Sequence, residues 1–383
     1  MANVFIPRER RPGETRVAAT PDTVRKMIKQ GLEVVIERGA GEGSAYPDAD
    51  YESAGARLTD DPGAAAETAD VILTVRPPEP DDVAGLKPGA VLIGLLAPHQ
   101  NLDLVRSMAE RKVTSLAMEL IPRITRAQSM DALSSQASIA GYRAVLLAAW
   151  RLPKYFPLLM TAAGTIAPAR VVIMGAGVAG LQAIATARRL GAVVEVSDVR
   201  PVVKEQVESL GGKFIPLPPP SDQLPSGEGQ GGYAREMGEE FLRQQREIVK
   251  KHLSTANAAI TTALVPGRRA PILITKEMLE VMRPGSVIVD LAVEQGGNCE
   301  LSQPDREVVH NGVLILGPSN LPAGMPTDAS NLYAKNVLAL LQEIVKEGSV
   351  TIDAADEVLA GSLLTHDGAV LHKPTADLLQ PPG

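Results

Sequence analysis

At 383 residues the chain is longer than a single hydrophobic core sustains, roughly 250–300 residues, so two domains are expected. Apolar residues make up 45% of it, enough for two full cores, while 3% aromatics and a net charge of −7 argue against a nucleic-acid partner. Cys299 is the only cysteine, which excludes an intrachain disulfide and a multi-cysteine metal site.

Arg8, Glu9, Arg10 and Arg11 stand where a secretory leader needs an apolar run. The apolar stretches, such as Ala144 to Trp150, fall short of the ~20 residues of a membrane helix. A soluble cytosolic chain is the expectation. Short Val/Ile/Leu runs then alternate with helical patterns, as in parallel α/β units buried on both faces. Strands are predicted over Asn3–Ile6, Glu33–Glu37, Val71–Val75, Val91–Leu96 and Thr114–Met118, with helices over Asp22–Gln30 and Leu102–Lys112 between them. Ala132 to about Leu152 is helical and reads as the bridge to a second series. That series comprises Val171–Met174, Val193–Ser197, Lys213–Ile215, Ala259–Thr262, Val287–Leu291 and Val313–Leu316. Pro216 to Gly232 is rich in Pro and Gly with hardly an apolar side chain, either a lid or a tolerated surface insertion. An amphipathic helix over Leu332–Lys346 is expected to return to the first domain, and the tail from Thr351 reads as a short strand pair with a loose end. The fold class is α/β, two doubly wound Rossmann-like domains joined by a long helix. One domain is expected over 1–133 plus 325–383, the other over 134–324.

The second series opens on a motif with chemistry. A strand, Arg170 to Met174, runs into Gly175, Gly177 and Gly180, and Val178 to Leu190 is helical. The first glycine permits a tight turn, the second lets backbone approach a pyrophosphate, and the third lets helix and strand pack closely. The helix start, Val178 and Ala179 included, offers free N–H groups and a positive dipole end to phosphates. The next strand ends at Asp198, 18 residues beyond Gly180, followed by Val199. An acid there accepts the adenosine ribose hydroxyls and repels a 2′-phosphate, so NAD(H) is expected over NADP(H). Arg200 is expected to face solvent or the adenine. Gly39, Gly41 and Gly43 follow a strand without the helix and acid of such a site, and read as a plain loop.

Further stretches carry a family resemblance. PRITRAQSMDALSSQASIAGYRAV (Pro122–Val145) resembles the signature of the NAD(H)-binding component of proton-translocating nicotinamide nucleotide transhydrogenases. So do the stretches Arg10–Pro21, Thr161–Ala192, Lys204–Phe214, Gly231–Phe241, Thr261–Thr275 and Val287–Glu300, and together they span nearly the whole chain. The resemblance implies direct hydride transfer between NADH and NADP⁺, with NADP(H) held by a partner subunit and proton movement left to membrane-spanning partners. It implies a homodimer lying peripherally on the inner face of the cytoplasmic membrane. By resemblance Arg123, Gln128, Asp131 and Ser134 surround the nicotinamide end, Arg123 and Asp131 being able to pair and Gln128 to reach toward the partner's cofactor. Gly232, Tyr233 and Ala234 belong to a loop that closes over nucleotide, and Thr262, Ala263 and Leu264 pass the ribose next to the nicotinamide.

The same family is related to alanine dehydrogenase, the alternative reading. That enzyme class uses an Arg like Arg16, a Lys in a VKEP stretch, a strand-end His and an Asp in VDxAxDQGG. Here the Lys position reads Arg76, the His position Ala97 with His99 two residues on, and the Asp position Glu294. Keto-acid reduction needs a proton donor beside the hydride acceptor, and the expected one is missing.

Overall fold

A computed structural model describes residues 1–216, 238–265 and 268–380. The chain divides into two compact units, Met1–Gln136 with Ala323–Gly383, and Ala137–Pro322. The division falls inside the helix Ala132–Arg151, after Gln136.

The first unit is built on an eight-stranded sheet. Its order is Ala369–Val370, Leu363–His366, Thr114–Ala117, Val91–Gly94, Val71–Leu73, Asn3–Ile6, Glu33–Glu37, Arg57–Thr59. The six strands before residue 120 are parallel and wind outward in both directions from Asn3–Ile6, and the C-terminal hairpin adds antiparallel to Thr114–Ala117. Alternation along the strands separates two cores. Val4, Ile6, Ile36, Leu73 and Ile93 face one side, with Tyr333, Val337 and Leu341 of the helix Pro326–Ile344. Phe5, Val35, Ile72 and Leu92 face the other, with Leu104 and Met108 of the helix Leu102–Glu110. Burying each such side chain stabilises by ~1.5–3 kcal/mol.

The second unit has a seven-stranded sheet: Lys213–Phe214, Val193–Ser197, Arg170–Met174, Ala258–Thr261, Val287–Asp290, Val313–Leu316, Glu307–His310. All but the last edge strand are parallel. Val171, Ile173, Val194 and Ile260 pack with Ala183 and Ile184 of the helix Val178–Arg189 and with Ala144, Val145 and Ala148 of the long helix. Val172, Met174, Ala259 and Ile288 pack on the opposite face with Val249 and Leu253 of the helix Glu239–Leu253.

The expected strands appear within one or two residues of their bounds. The tail is less loose than expected: Asp356 caps the helix Glu357–Ser362, and Lys373–Leu379 is a further helix. The helix expected from Leu332 begins at Pro326, whose ring suits a first helical turn. Arg57–Thr59, the hairpin Leu159–Thr161/Gly164–Ile166 and the edge strand Glu307–His310 have no counterpart among the strands expected from sequence. The stretch Gly39–Gly43 is a tight packed turn, in which a Cβ on Gly43 would lie 2.8 Å from the Thr15 carbonyl oxygen.

Candidate functional site

In the second sheet the chain turns one way from Arg170–Met174 to Val193–Ser197 and the other way to Ala258–Thr261, so the loops after the two central strands diverge. A crevice at such a reversal is where ligands bind open α/β sheets. Gly175, Gly177, Val178, Ala179 and Gly180 form its floor. Gly175 has φ +103, and an added Cβ would lie 2.6 Å from Thr262 Oγ1. On Gly180 a Cβ would meet the Gly175 carbonyl oxygen at 1.8 Å, so only glycine brings this helix so near its strand. Gly177 differs: nothing lies within 4 Å of where its Cβ would be, and its φ of −76 suits any residue. The glycine that needs neither conformational freedom nor protein packing room borders open space at the start of a twelve-residue helix. No side chain caps that end, and Val178 is exposed there. Backbone donors and dipole are left for an anion such as a pyrophosphate.

Asp198 is buried at the end of the neighbouring strand and ties it to the glycine loop. Its Oδ2 accepts from the Ala176 amide at 2.7 Å. Arg200 does not face solvent, as expected from sequence. It turns back onto the acid, its amide and Nε donating to Oδ1 at 2.8 and 2.9 Å and Nη2 to Oδ2 at 2.7 Å. The reversal that starts the short helix Pro201–Val203 brings a residue two positions on into the carboxylate plane. Val199 between them is half-buried.

Thr262, Ala263 and Leu264 leave the carboxyl end of Ala258–Thr261. The Thr262 amide donates to the Met174 carbonyl at 2.8 Å and Oγ1 to that of Gly175 at 3.1 Å, while Leu264 is exposed. Two residues to which the sequence alone assigns no role hold this loop. Asn298 accepts from the Ala263 amide at 3.0 Å and donates to the Ala263 and Pro271 carbonyls at 2.9 and 2.8 Å. Asp290, fully buried, in turn accepts from the amides of Ala292, Asn298 and Cys299 and from Thr261 Oγ1. Their stretch stands out in the sequence only by family likeness, because the pairing of Asn298 with Ala263 is made across the fold. Gly232, Tyr233 and Ala234 lie outside the described residues. Cys299 is buried and its thiol is pushed up to about 12 by burial, which removes it as a nucleophile at neutral pH.

In the first unit the stretch before the long helix is a six-residue 3-10 segment, Thr125–Met130, anchored by buried Ala127 and Met130. Asn336 donates to the Ser129 carbonyl at 2.8 Å, and Arg126 pairs with Glu343 and Asp356. Arg123 and Gln128 are exposed. Asp131 stands at the N-cap, accepting from the Ser134 amide at 2.8 Å and the Ser134 hydroxyl at 2.6 Å. Asp131 and Ser134 thus hold one another, and Gln128 projects from a braced turn.

The positions compared with alanine dehydrogenase are spoken for. Arg16 is buried, bonded to Glu14 at 2.8 and 2.7 Å and to Gln136 at 2.8 Å. Ala97 adopts φ +45, and its amide donates to Glu119, which also takes the Leu96 amide at 3.2 Å. Glu9 accepts from the amides of Val75 and Arg76 at 2.5 and 3.2 Å. Burial pushes its carboxyl up to about 7, and Glu119 is raised for the same reason. His99 lies edge-on to His372, ring centroids 5.7 Å apart. Glu294 is exposed. Among the described residues no cluster of His, Cys, Asp and Glu suits a metal ion, and no helix is long and apolar enough to cross a membrane.

Two family models match. Residues 5–140 fit the alanine dehydrogenase/PNT N-terminal domain and residues 144–373 the alanine dehydrogenase/PNT C-terminal domain. An NAD(P) transhydrogenase subunit alpha protein of Rhodospirillum rubrum is 51% identical over 376 residues, 96% of this chain and 97% of that protein. A crystal structure of transhydrogenase from Sinorhizobium meliloti superposes with TM-score 0.86 at 48% identity, covering 96% of this chain and 99% of that one. The alanine dehydrogenase of Halomonas elongata is more distant, 30% identical over 98% of this chain and 96% of its own length. The chain belongs to the alanine dehydrogenase/PNT family and, within it, stands with the NAD(P) transhydrogenase alpha subunits rather than with the alanine dehydrogenases.

Proposed function

We propose that this chain is the NAD(H)-binding component of a proton-translocating NAD(P) transhydrogenase. It would present NADH for direct hydride transfer to NADP⁺ held by a partner subunit. The observation that carries the nucleotide reading is Gly177, a glycine with no protein atom to avoid at a helix start whose donors have no side-chain cap. Likeness to the transhydrogenase alpha subunits across nearly the whole chain selects the reaction.

NADH supplies the hydride when bound; the chain supplies position. Gly175 to Gly180 take the pyrophosphate, and Asp198, with Val199 beside it, takes the adenosine ribose. Thr262, Ala263 and Leu264 pass the second ribose. Gly232, Tyr233 and Ala234 close over the nucleotide, a role that rests on resemblance alone. Arg123, Gln128, Asp131 and Ser134 attend the nicotinamide end, with Asp131 and Ser134 bracing the turn and Gln128 offering a neutral amide. A hydride passed between two nicotinamide rings needs no acid or base, only alignment and exclusion of water. That requirement suits a chain whose strand-end residue is Ala97 and whose Arg16 is already bonded to Glu14 and Gln136.

The partners follow from the same reading: an NADP(H)-binding subunit and membrane-spanning subunits that keep the chain at the inner face of the membrane. A homodimer is also proposed, supported by Trp150, Tyr155, Leu158 and Met160, large apolar side chains left exposed within residues 150–160. The test is NADH oxidation by the purified chain mixed with a transhydrogenase NADP(H)-binding component. Transfer that requires both proteins supports the reading. Turnover with pyruvate and ammonia by the chain alone, without such transfer, would replace it with the alanine-dehydrogenase alternative.

A further inference from the structure

We infer that Arg200 is a second specificity residue at the adenosine ribose, a 2′-phosphate ligand held in check by Asp198. The inference rests on the NAD(H) reading above. A carboxylate offers about four acceptor positions. All four at Asp198 are taken: the Ala176 amide and Arg200 Nη2 on Oδ2, the Arg200 amide and Nε on Oδ1. Three of the four donors belong to Arg200, and both side chains are buried, at 13% and 4% exposure. Ribose hydroxyls therefore gain the acid only by displacing the guanidinium.

Two consequences follow. NADH binding exchanges two charge-assisted hydrogen bonds to Arg200 for two from the ribose, so part of its binding energy is offset by opening the pair. The guanidinium also sits 2.7–2.9 Å from the oxygens that the ribose hydroxyls approach. An arginine in that position is what accommodates a 2′-phosphate in NADP-binding sheets. Here the carboxylate neutralises it and repels the phosphate, so discrimination belongs to the pair and not to Asp198 alone.

The experiment measures dissociation constants of 5′-AMP and adenosine 2′,5′-bisphosphate by calorimetry for the full chain and for Arg200→Ala, Asp198→Ala and the double variant. Asp198→Asn, which keeps an oxygen for the Ala176 amide, repeats the comparison without truncating the side chain. Arg200→Ala should bind 5′-AMP several-fold more tightly than wild type. Asp198→Ala and Asp198→Asn should bind the bisphosphate about tenfold or more tighter than the double variant, the effect of a hydrogen bond to a charged group. Equal affinity of Asp198→Ala and the double variant for the bisphosphate, or weaker 5′-AMP binding by Arg200→Ala, would overturn the inference while leaving the NAD(H) site standing. A wild-type chain that binds neither NADH nor 5′-AMP would remove the site itself, and the inference with it.

Discussion

Gly141 touches Ala179. A Cβ on Gly141 would lie 2.0 Å from the Ala179 carbonyl oxygen, so the long helix rests directly on the first turn of the glycine-loop helix. Gly141→Ala forces that turn to move. It is expected to cost about 1–3 kcal/mol of stability, typical of overpacking, and to weaken NADH binding. Thermal unfolding and a fluorescence titration check both; unchanged NADH affinity would mean that the helix start does not hold the pyrophosphate.

Gly177 and Gly180 should separate packing from ligand contact. Gly177→Ala meets no atom within 4 Å and is expected to leave the unfolding midpoint nearly unchanged while lowering NADH affinity. Gly180→Ala, with a Cβ 1.8 Å from the Gly175 oxygen, is expected to destabilise the unit outright. Equal NADH affinity in Gly177→Ala and wild type would count against the cradle.

Asn298 holds both the amide and the carbonyl of Ala263. Asn298→Ala strands these groups together with the Pro271 carbonyl, and a loss of roughly 1–3 kcal/mol is expected. Amide exchange at Thr262–Leu264 should accelerate in the variant; protection equal to wild type would show that the loop is held elsewhere.

Glu9 should make stability depend on pH. Its carboxyl is raised by burial to about 7 in the folded chain from an ordinary 4.5, so the native state holds the proton where the unfolded chain has lost it. Stability from this group is therefore full below pH 4.5 and lost as pH rises to about 7, at most about 3 kcal/mol. Glu119, raised by burial, acts in the same direction, whereas His372, lowered by burial and the neighbouring His99, acts in the opposite one. Comparing urea midpoints of wild type and Glu9→Gln at about pH 5 and about pH 8 isolates the contribution. The variant should lose less stability between the two; identical losses would contradict it.

Much of the architecture is written in local pattern. Central parallel strands are buried on both faces, so Arg170–Met174, Val193–Ser197 and Val287–Asp290 stand out as apolar runs, and the three glycines identify the crevice. Glu307–His310 is an edge strand with alternate positions exposed, and the hairpin Leu159–Ile166 has hardly a buried side chain; neither leaves a core signal. Arg200 is not where the sequence suggests because its position depends on how the chain reverses after Asp198. Asn298 gives no signal of its own because its partner Ala263 is 35 positions away. Spacing can name the acid and the glycines, but not which neighbours already occupy them.

The central claim is that hydride passes straight from NADH on this chain to NADP⁺ on a partner. The most direct measurement uses NADH deuterated at the transferring nicotinamide C4 position, this chain and a transhydrogenase NADP(H)-binding component, with wild type and Gln128→Asn side by side. The expected result is deuterium retained in the NADPH formed, none acquired from heavy water with unlabelled NADH, and a rate that falls sharply in Gln128→Asn while its stability stays within about 0.5 kcal/mol of wild type. Label lost to solvent, or an undiminished rate in Gln128→Asn, would contradict respectively the direct transfer and the role proposed for the braced turn.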